Sequence, residues 1–150
     1  MGGVLAAKVN QETSEGCFRA CIASLLGKSF WDIPDYFQDT GHEDNMTRMQ
    51  EWLRSNVNIQ LLVIRRENQV YNNSLQLVSI LGKSPPFIMC FMHFPDENDN
   101  DNVYSGHAMI GQIQENRVAV LHDPDSNNKH RDELSQKIAL VCLLVPYFGD

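Results

Sequence analysis

The residue with the clearest chemical potential is Cys17, because it stands where a helix is expected to begin. Residues 13–16 suit a turn, and an apolar pattern spaced by three and four residues follows at once through Phe18, Ile22 and Leu26. At a helix N-terminus, unpaired backbone N–H groups and the positive end of the helix dipole favour a thiolate. The position therefore predicts a nucleophile.

Gln11 precedes Cys17 by six residues and carries a side-chain amide. The loop that leads into the helix could bring this NH2 group back beside the sulfur. There, with the backbone N–H of Cys17, it would form an oxyanion hole. Such donors contribute roughly 3–4 kcal/mol each where they have been removed from hydrolases. Gln11 is therefore the predicted oxyanion donor.

A base and an orienting carboxylate are predicted from two strands late in the chain. Strands over His107–Ile113 and Arg117–Asp123 would form a hairpin. A three-residue loop, 114–116, places His107 opposite Asp123, with Cβ atoms ~5 Å apart on one face. A two-residue loop shifts the register by one and sends Asp123 to the other face.

These four residues together match the roles of thiol-based acyl transfer. Cys17 is the expected nucleophile, and His107 acts first as its base and then as acid to the leaving group. Asp123 is expected to hold the tautomer of His107, and Gln11 to stabilise the oxyanion. Taken singly, each has an ordinary explanation as a packed cysteine, a strand histidine or a turn residue. Their combination in this order favours catalysis.

Other histidines offer alternatives for the base or for a metal. His122 adjoins Asp123, but in the predicted register it points to the opposite face. A zinc site built from His93, His107, His122 and a cysteine is the metal alternative, although no compact ligand pair is present. We predict neither a metal nor a cofactor.

The composition restricts the class of protein. The 150 residues, 43% apolar and 21% charged, suit one globular domain over residues 1–150. A net charge of −7 and a pI near 5.1 argue against nucleic-acid binding. Residues 1–10 do not resemble a secretory signal, and no apolar stretch is long enough to span a membrane. Four cysteines without a Cys-x-x-Cys pair suit reduced thiols, so a cytoplasmic protein is expected.

The predicted elements place helices first and an antiparallel sheet second, which is the α+β order. Polar residues 95–103 are expected to form a solvated acidic loop, with a calcium loop as the alternative. After the first helix, further helical segments are predicted over Ile33–Phe37, Met46–Asn56, Asn73–Leu81 and Asp132–Gln136. Besides the hairpin, strands are predicted over Ile59–Ile64, Pro86–Phe94 and Ile138–Val145.

The order of these features resembles the papain-like cysteine peptidase superfamily. The resemblance rests on Gln11, then Cys17 at a helix start, then Gly106-His107 on a strand, then Asp123-Pro124 after the next strand. It is strongest to the small bacterial branch that includes the leader-peptide peptidase domains of bacteriocin exporters, and it covers roughly residues 11–145. It implies a papain-like fold, with the cysteine, histidine and aspartate as a triad and the glutamine in the oxyanion hole.

One departure limits what the resemblance implies about the substrate. Many exporter peptidases have an acidic residue and then Cys-Gly at the nucleophile, whereas this chain has Gly16-Cys17-Phe18. We therefore expect a peptide or protein substrate without specifying a leader peptide. Hydrolysis, glutamine deamidation and transglutaminase-type transfer would all use the same machinery. A papain-like fold kept as a non-catalytic binding or effector module is the alternative from another class.

Overall fold

The structure is a computed structural model that describes residues 7–13, 16–36, 45–65, 84–93, 105–114, 117–125 and 138–149. Within these residues, two α-helices and a five-stranded antiparallel sheet confirm the predicted α+β class. The helices are α1 (Cys17–Leu26) and α2 (Asn45–Val57), with a 3-10 helix at Phe30–Asp32. The strands are β1 (Ile59–Arg65), β2 (Phe87–His93), β3 (Ser105–Gln114), β4 (Arg117–His122) and β5 (Ile138–Pro146).

The sheet has the strand order β1-β5-β2-β3-β4, so β2 lies in its centre. The side chains of Phe87, Ile88 and Met89 at the start of β2 are at most 3% exposed. Consecutive buried side chains mean that both faces of β2 are covered, as its continuous apolar run predicts. The central strand thus separates two layers of apolar side chains.

Helix α1 packs on one face of this sheet. Its residues Phe18, Cys21 and Ile22 belong to the same core cluster as Ile88 and Ile110 of the sheet. The helix ends at Gly27, whose φ of 67° and ψ of 35° are left-handed, and the backbone N–H groups of residues 27 and 28 cap its last carbonyls. The apolar face and the glycine end therefore fix both the position and the length of the helix that begins with Cys17.

The short helical segment after α1 lies earlier than predicted. The 3-10 helix covers Phe30–Asp32, whereas Ile33 is extended, with φ −97° and ψ 132°. Ser29 and Asp32 form a reciprocal capping box that starts the turn, and Pro34 disfavours a helical conformation at the residue before it. The prediction of helix from Ile33 onward is wrong for the described part of that segment.

Several predictions lie outside the described residues, namely the helices at 73–81 and 132–136 and the acidic loop at 95–103. Where the structure describes the chain, no helix is long and apolar enough to cross a membrane. All four cysteines are free thiols, in agreement with the prediction.

Candidate active site

The hairpin of β3 and β4 is one residue tighter than predicted. Gln114 pairs with Arg117, which leaves residues 115–116 as the connection. The predicted three-residue loop is therefore wrong, and with it the direct pairing of His107 with Asp123. Continued without interruption, the observed register would place Asp123 on the opposite face of the sheet from His107.

A β-bulge in the same hairpin changes the face of the sheet on which the residues at the end of β4 lie. The register shifts between Ile110 and Gly111, where β4 contributes one extra residue. An extra residue on one strand reverses the face of every position beyond it. Asp123 therefore returns to the side of His107, although the two residues are not opposite each other in the ladder.

The side chains of His107 and Asp123 are in direct contact. His107 Nε2 lies 2.8 Å from Asp123 Oδ1, and the two side chains are 22% and 4% exposed. The same carboxylate oxygen accepts the backbone N–H of Asp125 at 2.9 Å, which holds the turn after β4. Because an ionised carboxylate only accepts hydrogen bonds, we assign a proton to Nε2 of His107. Nδ1 is then the ring nitrogen that can act on another group.

Cys17 supplies that other group. It is the first residue of α1 and is partly exposed, and a hydrogen bond with its side chain is one of the causes that raise the pKa of His107. The first turn of α1 contains no acidic residue that would offset the positive end of the helix dipole. The N-terminus of α1 and the start of β3 thus bring the predicted nucleophile and the predicted base together.

The protonation of His107 reflects its two neighbours. Burial of the ring lowers its pKa, but hydrogen bonds to Cys17 and Asp123, with the charges of both groups, outweigh burial and raise the pKa from 6.5 to about 9. An imidazolium between a thiol and a carboxylate is the arrangement that activates a cysteine nucleophile. The ring can therefore hold the proton that a leaving group needs.

Two other cysteines have thiols that are held protonated. Burial, followed by the charge of Cys17, raises the pKa of Cys21 well above its usual range. A hydrogen bond to Cys142, followed by burial, does the same for Cys90. Cys21 lies one helical turn after Cys17 and is completely buried, as expected for a packing residue. The thiols of Cys21 and Cys90 are therefore poor candidates for a nucleophile.

Gln11 lies beside the site, and its side chain is turned toward Thr13. Its backbone N–H donates to the carbonyl of Pro124 at 3.0 Å, next to Asp123. Its Nε2 donates to the carbonyl of Thr13 at 3.1 Å. An amide NH2 has two protons, and a bond made by one fixes the direction of the other. The structure places Gln11 near Asp123, and its amide is turned toward Thr13 rather than presented to a substrate oxygen.

The space beside Gly16, the residue directly before Cys17, is filled by the side chains of Phe30 and Thr13. A Cβ atom at Gly16 would lie 2.7 Å from the ring of Phe30 and 2.6 Å from Oγ1 of Thr13. Arg19 holds the ring in place, with its guanidinium 4.3 Å from the ring centre and its Nε donating to the Phe30 carbonyl at 3.0 Å. Position 16, directly before Cys17, therefore requires glycine for space.

The sequence did not reveal the partner of His122. Its Nε2 makes a hydrogen bond of 2.8 Å with the carbonyl of Val9, so the ring is engaged with the backbone before α1. Ser24, on the buried side of α1, binds the same residue, because its Oγ accepts the Val9 N–H at 2.9 Å. The only features of the sequence that pointed to these two contacts were a serine within the predicted helix and a histidine beside the predicted aspartate.

The metal alternative gains no support from the described residues. Among them, no group of three or more His, Cys, Asp or Glu side chains could hold a metal ion. His107 contacts Asp123 and Cys17, and His122 contacts the Val9 backbone. The ring of His93 lies outside the part of the chain that the structure describes.

Comparisons with known proteins find no match for this chain. No protein-family model matches its sequence, no curated protein matches it, and no solved structure matches its fold.

Proposed function

We propose that this chain is a thiol-dependent acyl-transfer hydrolase of the papain-like type, acting on an amide bond in a peptide or protein. The observation that carries the proposal is the unbroken contact from Cys17 through His107 to Asp123. His107 contacts the thiol on one side and, at 2.8 Å, a buried carboxylate on the other. These are the nucleophile, base and orienting group of a cysteine hydrolase.

The first half of the reaction would form an acyl-enzyme. The Cys17 sulfur, as thiolate, attacks the amide carbonyl carbon and forms a C–S bond, and the carbonyl electrons move onto the oxygen. As the oxyanion collapses, the C–N bond breaks and the imidazolium of His107 gives its proton to the departing amine. Asp123 keeps the ring in the orientation that this proton transfer needs.

The second half would return the enzyme to its starting state. A water molecule, or another nucleophile, gives its proton to neutral His107 and attacks the thioester carbonyl. The C–S bond then breaks, and the sulfur leaves as the thiolate beside the reprotonated ring. Water yields hydrolysis or deamidation, whereas an amine yields transfer, so the product depends on which nucleophile enters the site.

The oxyanion would be stabilised by two N–H donors. The backbone N–H of Cys17 belongs to the first turn of α1, where N–H groups have no partner within the helix. The second donor is the amide of Gln11, which lies on the segment that contacts Pro124. For this role, its Nε2 has to turn from the carbonyl of Thr13 toward the substrate oxygen when the substrate binds.

The papain-like assignment is supported by where the residues lie in the fold. The nucleophile begins a helix that packs on an antiparallel sheet, the base lies on β3, and the orienting carboxylate follows β4. We propose that residues 1–150 form one such domain.

A binding module is the second candidate, and one observation favours it. The Nε2 group of Gln11 donates to Thr13, so the observed conformation does not present this donor to a substrate. In such a module the candidate site would hold a peptide without turning it over. A complete chain of contacts through three catalytic residue types favours the enzyme.

Alkylation by iodoacetamide, mapped by mass spectrometry, tests the proposed nucleophile without knowledge of the substrate. In the folded protein, Cys17 should react faster than Cys21, Cys90 and Cys142, and replacement of His107 by Ala should slow it. Equal labelling of all four cysteines would contradict the proposal. Incubation with a peptide library, followed by a search for an acyl group on Cys17, then separates the enzyme from the binding module.

A further inference from the structure

The stretch of residues 7–13, called here the Gln11 segment, is bound to both halves of the candidate site. The N–H of Val9 donates to Oγ of Ser24 at 2.9 Å, and its carbonyl is 2.8 Å from Nε2 of His122. Two residues later, the N–H of Gln11 donates to the carbonyl of Pro124 at 3.0 Å. The segment therefore has side-chain as well as backbone anchors.

The two side-chain anchors lie on the elements that carry the proposed triad. Ser24 is on α1, the helix that begins with Cys17, and it is completely buried. His122 is the last residue of β4, directly before Asp123, and is 8% exposed. Both anchors bind the same residue, Val9, which ties the segment to the nucleophile and to the orienting carboxylate at once.

Val9 is well suited to receive this pair of contacts. Its N–H and carbonyl are both satisfied by side chains that approach from different elements, and its own side chain packs against the main core cluster. Ser24 Oγ also lies 2.9 Å from the Ala20 carbonyl, so its hydroxyl is held inside the helix. Buried polar groups that are fully bonded in this manner are rigid.

We propose that Ser24 and His122 are positioning residues, which hold Val9 so that Gln11 is presented beside Cys17. The part of this proposal that concerns catalysis rests on the proposed function, in which Gln11 is an oxyanion donor. The hold on the Gln11 segment itself does not depend on that function.

The expected consequence is a selective loss of turnover. The bonds of Val9 go to Ser24 and His122 rather than to Cys17 or His107, so the thiol should keep its reactivity when an anchor is removed. The oxyanion donor should lose its placement, and a misplacement of about 1 Å can lower a rate by about a hundredfold. We therefore expect about a ten- to hundredfold lower kcat with little change in KM, which is less than the roughly hundred- to thousandfold loss that follows removal of a whole oxyanion donor.

The test compares His122→Leu, which cannot donate, with His122→Gln, whose amide can donate to the Val9 carbonyl. Ser24→Ala removes the second anchor. Cys21→Ala is the matched control, because it also truncates a completely buried side chain of α1 but leaves Val9 untouched. Hydrogen–deuterium exchange reports on the Gln11 segment, and iodoacetamide labelling reports on Cys17.

The proposal predicts that His122→Leu and Ser24→Ala raise amide exchange at Val9 and Gln11 at least tenfold. Cys17 labelling should stay within about twofold of the parent in both, and His122→Gln should restore most of the protection. Unchanged exchange in both variants would overturn the proposal. So would a loss of Cys17 labelling as large as the gain in exchange, because it would show a general structural role.

These outcomes separate the two proposals. If the parent protein shows no acyl transfer while the exchange response is as predicted, the proposed function fails and the hold on the Gln11 segment stands. If the parent is active and both variants keep full kcat, the positioning role fails and the proposed function stands. Should His122→Leu fail to fold, Ser24→Ala and His122→Gln decide the question through the same readouts.

Discussion

His107 Nε2 lies 2.8 Å from Asp123 Oδ1, although the two residues do not face each other in the β3–β4 ladder. The ladder pairs Ile110 with His122, so a continued register would place residue 109 opposite Asp123. The contact is therefore a diagonal one between neighbouring strands, on the same side of the sheet. The side on which Asp123 lies depends on the one-residue bulge in β4.

Removal of the Cys17 thiol should abolish the proposed activity. Cys17→Ala eliminates the atom that forms the acyl bond, so kcat should fall by about four orders of magnitude or more. Cys21→Ala, one helical turn away, should keep activity near the parent level, because the Cys21 thiol is buried and its pKa is raised by that burial. Turnover of a substrate found in the peptide library, measured for both variants, checks this. Full activity in Cys17→Ala would rule out the proposed chemistry.

The Asp123 carboxylate should matter both to the base and to the turn. Asp123→Ala removes the acceptor for His107 Nε2 and for the Asp125 N–H, and kcat should fall about ten-thousand-fold, as when the orienting carboxylate of a serine protease is removed. Asp123→Asn should also lower kcat strongly, because its amide oxygen can accept both bonds but carries no charge to stabilise the imidazolium. NMR titration should show a lower His107 pKa in Asp123→Asn than the parent value of about 9. An unchanged His107 pKa would contradict the assigned contact.

The pH dependence of stability should report the raised pKa of His107. Burial lowers this pKa, yet the bonds to Cys17 and Asp123 raise it to about 9, against 6.5 for an exposed ring. The folded state binds the proton more tightly, so the stabilisation is fully present below pH 6.5 and is lost as the pH rises through about 9. The free energy of unfolding, measured with denaturant, should decline across this interval.

His107→Gln provides the control for that decline. Without the ring, the free energy of unfolding should vary less between pH 6.5 and 9. The thiols of Cys21 and Cys90 also have raised pKa values. The main cause is burial for Cys21, and for Cys90 it is the hydrogen bond to Cys142, followed by burial. Both thiols therefore lower the free energy of unfolding as the pH rises, but only at higher pH than His107 does. An equal slope in the parent and in His107→Gln over this interval would show that the ring is not the cause. The same ionisation predicts that kcat/KM declines as the pH rises through about 9.

Gly16 should tolerate no side chain, for steric reasons. Its φ of −89° is open to any residue, but a Cβ atom would lie 2.7 Å from the Phe30 ring. Gly16→Ala should therefore cost about 1–3 kcal/mol, as overpacking of a tight site does. Thermal or denaturant unfolding measures this cost, and the rate of Cys17 labelling shows whether the surroundings of this thiol change.

A double-mutant cycle with Phe30→Leu tests the cause. The smaller side chain makes room, so Gly16→Ala should cost less in the Phe30→Leu background than in the parent. Additive effects would place the cost of Gly16→Ala somewhere other than at this ring.

Local elements could be read from the sequence because their signals are local. The helix from Cys17 follows from apolar spacing, its end from Gly27, and the strands from short apolar runs, and the structure agrees within one or two residues at most boundaries. The candidate roles of Cys17, His107 and Asp123 also follow from residue type and element order. These features depend on neighbours only a few residues apart.

The tertiary structure decided how those residues meet. The sequence suggested a hairpin with His107 opposite Asp123, but the two-residue connection and the bulge replaced that pairing with a diagonal contact. Whether a strand forms a β-bulge depends on how both faces of the sheet pack, and no short sequence pattern is specific for that packing. The correct partner was predicted through an incorrect register.

The anchoring of Val9 was beyond any sequence argument. His122 and Val9 are separated by 113 positions, and Ser24 and Val9 by 15. One partner in each bond is the peptide backbone, which every residue carries and which leaves no trace in residue type. The sequence by itself determined which side chains could perform acyl transfer. Only the folded chain determined what holds these side chains in place. The reason is that hydrogen bonds to distant backbone groups exist only once α1, β4 and the Gln11 segment have packed together.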